Sequence, residues 1–414
     1  MDLVHLIAIL LSLSAAFSYI NFRFVGLPTT IGVMLIALVS SILSIFLGKL
    51  GVMDIHTQAE NLLENIDFNK ALMDGMLSFL LFAGALHVSA RDLIKMKWTI
   101  GILSTAGVIV STFVVGTATY CLLGFLGIGT TYLYCLLFGA LISPTDPIAV
   151  MATLKKSGIA KSLETKIAGE SLFNDGVGVV VFVVLLGIAT QPEQVSLAQV
   201  ATIFFQEAVG GILYGILLGS LGIYLLKSVD NYQVEILITL ALVMGGYTLA
   251  LELHTSGPIS VVVAGLIIGN HGRTHAMSAL TRVRLDNFWE LLDEILNVVL
   301  FVLIGLEVLV LHFDNTYLIA GLIGIPLILA SRLISVGVPI SLLRMVTNWP
   351  YSEHAVKILV WGGLRGGISV ALALTLPAGV ERDIFLVMTY LMVIFSILVQ
   401  GLTIERVAKH YSPP

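Results

Sequence analysis

Carboxylates stand inside apolar segments at two places in this sequence. In the otherwise apolar run 167–189, Ser171 and Asp175 are four residues apart, as are Glu170 and Asn174, so a helix would give each pair a face of its own. Oxygen ligands suit a hard cation, and a carboxylate also takes a proton. We therefore interpret Asp175 with Ser171 as a cation and proton site, and Glu170 with Asn174 as a structural brace. The alternative for Asp175 is a buried, neutral, hydrogen-bonded acid.

A helix break is expected at residues 143–147, which read Ser-Pro-Thr-Asp-Pro. Two prolines three apart remove two backbone donors and clash with preceding carbonyls. The carbonyls at the end of the first half-helix can then hold a cation, and Asp146 can neutralise the N-terminus of the other half. Asp146 is therefore predicted to belong to the site. A simple proline kink without ligands is the alternative.

Two arginines also lie inside apolar segments. Arg332 stays charged in essentially any environment, so it needs an anion, and we predict a pair with Glu170; snorkelling to the interface is the alternative. Arg365 lies in the glycine-rich stretch 361–367, and glycines weaken a helix. The stretch predicts a second helix break, with Arg365 near the unwound backbone and Asp146. Glycines that allow close helix packing are the alternative.

Composition indicates that these segments belong to an all-α polytopic membrane protein. The chain has 414 residues, of which 57% are hydrophobic and 11% charged, whereas a soluble domain carries about 25% charged residues. Its long apolar runs lack the period-two alternation of a transmembrane β-barrel. No basic patch suggests nucleic acid, and no phosphate-binding loop suggests ATP. About thirteen spans are predicted, at 3–20, 27–47, 72–90, 99–126, 131–154, 167–189, 200–226, 233–251, 256–270, 289–311, 316–343, 355–376 and 383–405.

Lysine and arginine are distributed unequally between the two sides of these spans. Sixteen fall in loops on one side, and only Lys49, Lys70 and Arg382 fall on the other. Cytoplasmic loops carry the excess of positive charge, so we predict that the N-terminus lies outside and the C-terminus in the cytoplasm. Segment 54–67 is expected to form an interfacial helix. We expect no large soluble regulatory domain.

The odd number of spans favours an inverted repeat. Thirteen spans divide into six, one and six, and the two sets of six then run in opposite directions, as in many secondary transporters. The fifth and twelfth spans are equivalent under this symmetry, and they carry the two expected helix breaks.

Three motifs, in their order and spacing, resemble the monovalent cation/proton antiporter family of the NhaP and sodium/proton exchanger type. They lie at 143–147, 170–176 and 362–367. The resemblance implies an NhaA-type fold of about thirteen helices, with six-helix inverted repeats and two crossed discontinuous helices in a single domain, 1–414. It also implies a core that slides like an elevator against a dimerisation scaffold in a homodimer. We assign the core to approximately 72–189 and 316–405, and the scaffold to approximately 1–47 and 200–311.

The resemblance also implies roles for single residues. The family's essential acid matches Asp175, the shared cation and proton site, and its neighbouring amide matches Asn174, which marks electroneutral exchange. The broken-helix pair matches Thr145 and Asp146, and further Na⁺ ligands match Ser171, Glu170 and Thr145. The family's two arginines match Arg332, as the partner of Glu170, and Arg365, so Asn174, Arg332 and Arg365 are expected to brace the site.

The predicted function is electroneutral exchange of one cytoplasmic Na⁺ or Li⁺ for one proton, in the inner membrane of a prokaryote. We expect no cofactor and no enzymatic activity; the ligands are a monovalent cation and a proton, with membrane lipid around the chain. A K⁺(Na⁺)/H⁺ antiporter and an organic-anion symporter of the same fold are alternatives. An intramembrane aspartyl protease built on Asp146 and Asp175 would lack its usual Gly-x-Gly-Asp setting.

One position departs from the family pattern. Many prokaryotic relatives carry an acid in the third span, where this chain has Ala83 within the string Phe-Ala-Gly-Ala. The missing carboxylate is expected to alter ion preference or pH dependence.

Overall fold

The computed structural model describes residues 3–50, 71–147, 150–151, 161–190, 197–311, 314–346 and 353–411. Its α-helices are α1 (Leu3–Ile20), α2 (Thr29–Lys49), α3 (Leu77–His87), α4 (Ala90–Lys95), α5 (Lys97–Ser104), α6 (Ala106–Phe125), α7 (Tyr132–Ile142), α8 (Lys161–Thr190), α9 (Leu197–Lys227), α10 (Tyr232–Glu252), α11 (Gly257–Ile267), α12 (Ala279–Glu307), α13 (Asn315–Val346), α14 (Glu353–Trp361), α15 (Gly367–Leu374), α16 (Val380–Phe395) and α17 (Gly401–Tyr411). Short π-helical runs lie at Asn21–Val25, Ala71–Met76, Ile268–Gly272 and Ser396–Gln400, and a single turn lies at Arg273–His275.

Many of these helices have the length and composition of membrane spans. In the described part of the chain, eight helical stretches are long and apolar enough to cross a bilayer: Ile7–Val25, Thr29–Gly48, Lys97–Phe125, Glu164–Thr190, Ala198–Lys227, Tyr232–Glu252, Asn315–Leu343 and Val380–Tyr411. The helices α3 and α7 are apolar but shorter. The protein is therefore an all-helical, polytopic integral membrane protein, whereas the number of thirteen spans and the inverted repeat stay predictions.

Helix breaks occur at the two places that the proline and glycine patterns indicate. The first half-helix, α7, ends at Ile142, and the chain then leaves helical geometry through residues 143–147. The second break separates α14, which ends at Trp361, from α15, which begins at Gly367. Much of the predicted span beyond Pro147 lies outside the described residues, as does the interfacial helix expected at 54–67.

Helix α8 carries the polar cluster 170–175 through the middle of the packed helices. It contacts α5 and α7 as well as α9 and α11. Helix α13 packs against α6 and α16, and α15 packs against α7 and α16. Helices α8 and α13 thus lie beside the two breaks, although these four elements are far apart in the sequence.

Helix α3 packs in a way that the predicted division into core and scaffold did not anticipate. The predicted core began at residue 72, yet α3 packs against α11 and α12, both from the predicted scaffold. Leu77 and Phe82 share a buried apolar cluster with Tyr247 and Trp289, and the ring centroids of Phe82 and Trp289 are 4.7 Å apart. The packing therefore favours moving this boundary to the C-terminal side of α3. The division itself stays a prediction.

Candidate functional site

The two helix breaks lie next to each other, and a backbone hydrogen bond joins them. The Asp146 N–H donates to the Leu364 carbonyl at 2.8 Å, and these residues form an isolated antiparallel bridge. Non-helical backbone at membrane depth must find partners in protein or in a wet cavity, because lipid offers none. Each break therefore satisfies part of the backbone that the other has exposed.

Arg365 occupies the C-terminal end of the first half-helix. Its Nη1 donates to the carbonyls of Ser143 and Pro144, the second at 2.9 Å, and the side chain is fully buried. A cation is stabilised at the C-terminal end of a helix by the helix dipole. The sequence pattern predicted a transported cation at these carbonyls. The structure corrects that expectation, because the guanidinium already occupies them.

Asp146 lies at the start of the second half-helix, α15. A Cβ added to Gly366, the N-cap of α15, would lie 2.6 Å from Asp146 Cβ and would also clash with the carboxylate. The carboxylate thus packs directly on a helix N-terminus, where negative charge is favourable. This N-terminus belongs to the other break. The N-terminus that we expected Asp146 to neutralise, in the second half of its own span, lies outside the described residues. Each break therefore supplies the charge that complements the other.

Two polar residues that the sequence motifs did not single out support the second break. The Arg365 N–H donates to Ser396 Oγ at 3.1 Å, and Ser396 Oγ donates to Gln400 Oε1 at 2.5 Å. Gln400 Nε2 in turn donates to the Trp361 carbonyl at 2.9 Å, which satisfies the end of α14. Their only signal in the sequence is polarity inside an otherwise apolar span.

Thr145 is held by two side chains of α8. Asn174 Oδ1 accepts from the Thr145 N–H at 3.2 Å, and Asn174 Nδ2 donates to Thr145 Oγ1 at 2.8 Å. Ser171 Oγ donates to the Thr145 carbonyl. We expected Asn174 to share a helix face with Glu170, and this expectation is wrong. Asn174 lies with Ser171 on the face of α8 that contacts Thr145. Residues three apart are neighbours on a helix just as residues four apart are.

Glu170 forms an ion pair with Arg332 of α13. Arg332 Nη2 and Glu170 Oε1 are 2.5 Å apart, and both side chains are buried. Gly363 of the second break packs on the guanidinium, since a Cβ there would lie 2.6 Å from Arg332 Nε. The pair predicted from the need of a buried arginine for an anion is thus present. It ties α8 to α13 beside the second break.

A cavity of about 140 Å³ lies against these elements, between the breaks and helices α3, α8, α12 and α15. Asp175, Thr145 and Asp146 line it, and Asp175 is otherwise buried with 6% exposure. Glu170 and Ser171 are not among its lining residues. The structure thus brings three of the five predicted cation ligands to one cavity, with the other two engaged just behind it.

Two further polar residues line the cavity and were missed from the sequence. Asp293 comes from α12 and Ser369 from α15. Asp293 lies beside Glu294 near the end of a predicted span, and none of the three motifs includes it. Ser369 follows the glycine-rich stretch, and nothing in the sequence separates it from other intramembrane serines. Asp146 interacts electrostatically with both Asp175 and Asp293.

Comparison with known sequences extends over almost the whole chain. The sequence model of the family described as "Sodium/hydrogen exchanger, transmembrane" matches residues 10–410. The Na⁺/H⁺ antiporter NhaP of Pseudomonas aeruginosa is 50% identical over 409 residues, covering 98% of this chain and 96% of that one. The Na⁺/H⁺ antiporter NhaH of Halobacillus dabanensis is 34% identical over 350 residues, 83% of each chain.

A solved structure shares the fold. The sodium proton antiporter MjNhaP1 of Methanocaldococcus jannaschii superposes with a TM-score of 0.76 at 20% sequence identity, covering 99% of both chains. At this identity the likeness concerns the fold. The arrangement of helices is thus one that occurs in a known antiporter.

Proposed function

Because the chain belongs to the sodium/hydrogen exchanger family, we propose that it exchanges one Na⁺ for one proton, with Asp175 as the site that the two ions share. The observation that carries the proposal is the place of Asp175, buried yet lining the cavity between the two helix breaks. Ionisable groups inside a membrane protein mark ion pathways and proton relays. The carboxylate takes either a proton or a cation, so the ions compete for it.

The charges around the two breaks support electroneutral exchange. Glu170 is balanced by Arg332. Arg365 and Asp146, on the two breaks, form a second set of opposite charges. Asp175 then remains as the carboxylate that a transported ion neutralises. The ion site at Asp175 carries the same net charge whether it holds Na⁺ or a proton. Without either ion the site is charged, and moving a charged site through a low dielectric is costly.

Thr145, Ser171 and Asn174 position the ion site in this proposal. Asn174 and Ser171 fix three polar groups of Thr145 to α8, the helix that carries Asp175. The backbone at the first break is therefore held at a constant distance from the carboxylate. Glu170, which is bound to Arg332, acts as a brace and reaches Na⁺ only if the ion pair rearranges.

The cavity is proposed to face the cytoplasm. Its lining residues Val88 and Ala168 lie near Arg91 and Lys166, at helix ends rich in positive charge. The positive-inside rule assigns those ends to the cytoplasm, with the N-terminus outside. Alternating access then requires that the core move against the scaffold, in a homodimer surrounded by lipid in a bacterial plasma membrane. The bacterial relatives support this location.

The experiment that tests the proposal is exchange by purified protein in proteoliposomes that carry an internal pH reporter. Addition of Na⁺ to vesicles with an acidic interior should raise the internal pH. Li⁺ should act similarly, and an imposed membrane potential should not change the rate. Exchange with K⁺ alone would contradict the assigned cation, and a rate that follows the potential would contradict electroneutrality.

A further inference from the structure

The transport cavity has polar lining that the proposed site does not use. Asp293 extends to it from α12, and Ser369 from the first turn of α15. The two helices touch nearby, because Gly367 of α15 packs on Leu300, two turns after Asp293 on α12; a Cβ on Gly367 would lie 2.6 Å from Leu300 Cδ1. An acid and a hydroxyl from two separate elements therefore meet at one cavity.

Ser369 points to a ligand in this cavity. It is 1% exposed, and its Oγ has no hydrogen-bond partner among the described residues. A buried hydroxyl without a partner costs about 1–3 kcal/mol, so a hydroxyl at a cavity wall is expected to bind what the cavity contains. The cavity of about 140 Å³ has room for a cation that keeps several of its waters.

Asp293 supplies the charge that such a cation needs. It is half-buried, and the Asn297 amide one turn further along α12 interacts with its carboxylate. Asp293, Asp146 and Asp175 all line the cavity, and Asp146 interacts electrostatically with the other two. A cleft lined by one sign of charge concentrates ions of the opposite sign.

We propose that Asp293 and Ser369 form a second position for a partly hydrated monovalent cation, occupied before the cation reaches Asp175. The inference rests on the proposed function and adds a second site to it. Asp293 lies on the predicted scaffold and Ser369 on the predicted core. The second position is therefore complete only while the two are aligned with the cavity open, so it acts on entry from that side.

The test compares Asp293→Asn and Ser369→Ala with wild type, by ²²Na⁺ flux into proteoliposomes of defined orientation. Asp293→Asn should raise the KM for Na⁺ on the cavity side about tenfold, the loss expected for one partly solvated charge. The KM on the opposite side and the maximal rate should change much less. Ser369→Ala should raise the same KM severalfold. The double variant should add little to Asp293→Asn, because both changes remove one site.

The controls separate charge from folding. Glu294→Gln neutralises the adjacent, exposed acid on α12 and should leave both KM values unchanged. Asp293→Glu restores the charge and should return the KM towards wild type, which a purely structural role would not predict. An unchanged KM in Asp293→Asn and Ser369→Ala, or an equal rise on both sides, would overturn the inference. Absence of Na⁺ exchange in the wild type would instead contradict the proposed function.

Discussion

Asn174 forms hydrogen bonds to Thr145 through both the oxygen and the nitrogen of its side-chain amide. Oδ1 accepts from the Thr145 N–H at 3.2 Å, and Nδ2 donates to Thr145 Oγ1 at 2.8 Å. A carboxamide can donate and accept at the same time in this way, whereas an ionised carboxylate can only accept. The neutral residue next to Asp175 thus keeps the unwound backbone in place without adding a second charge to the ion site.

Asn174→Ala should therefore impair both stability and transport. The change leaves the buried Thr145 N–H without a partner, which costs about 1–3 kcal/mol. We expect a lower melting temperature in detergent and a maximal exchange rate reduced at least tenfold. Thr145→Ser is the matched control, since it keeps the hydroxyl and the backbone donor. Normal exchange by Asn174→Ala would show that the hydrogen bonds between Asn174 and Thr145 are not needed for transport.

The Glu170–Arg332 pair should behave as a buried ion pair. Removing one partner leaves an uncompensated charge, so Glu170→Gln or Arg332→Met alone should destabilise the protein by about 3–5 kcal/mol. The double variant should be more stable than either single one, because no charge remains without a partner. Thermal unfolding of the four proteins measures the coupling. If the destabilisation in the double variant equals the sum of the two single values, Glu170 and Arg332 do not stabilise each other.

Gly366→Ala should abolish exchange through a steric clash. The added methyl would lie 2.6 Å from Asp146 Cβ and would displace the carboxylate from the N-terminus of α15. Gly187→Ala is the control, because it lies on exposed α8 surface and its Cβ would meet nothing within 4 Å. There alanine should be neutral or slightly stabilising. Full activity of Gly366→Ala would contradict the close approach of the two breaks.

Some of the site could be predicted because the relevant force is local. A buried arginine requires an anion, and this requirement was enough to link Arg332 to Glu170 from the sequence. A pair of closely spaced prolines and a cluster of glycines each weaken a helix locally, so both interruptions were predicted from residues 143–147 and 361–367.

Other relationships depend on how the helices are turned toward one another. Asn174 was placed with Glu170 by spacing alone, and only the packing of α8 on the first break shows that it faces Thr145. Similarly, the carbonyls expected to bind a transported cation are taken by Arg365, which is more than two hundred residues away in the sequence. Helix α3 was assigned to the core but packs against α11 and α12 of the predicted scaffold, because its apolar residues can pack against helices of either group.

The pH dependence should follow from competition at Asp175. Lowering the pH protonates the carboxylate, so the apparent KM for Na⁺ should rise as protons compete. The maximal rate at saturating Na⁺ should not fall as the pH is lowered on both sides, because the return step carries a proton. Initial rates over a grid of Na⁺ concentrations and pH values measure this. A fall in maximal rate at constant KM would indicate a separate inhibitory proton instead.

Asp175→Asn tests the central claim most directly. The amide has nearly the same size as the carboxylate, but it neither takes a proton in this pH range nor neutralises Na⁺. Flux of ²²Na⁺ and internal pH should be followed together in proteoliposomes, with protein whose elution profile and melting temperature match wild type. The account predicts that both fluxes fall to the level of empty vesicles. Coupled Na⁺ and proton fluxes that persist in Asp175→Asn would contradict it.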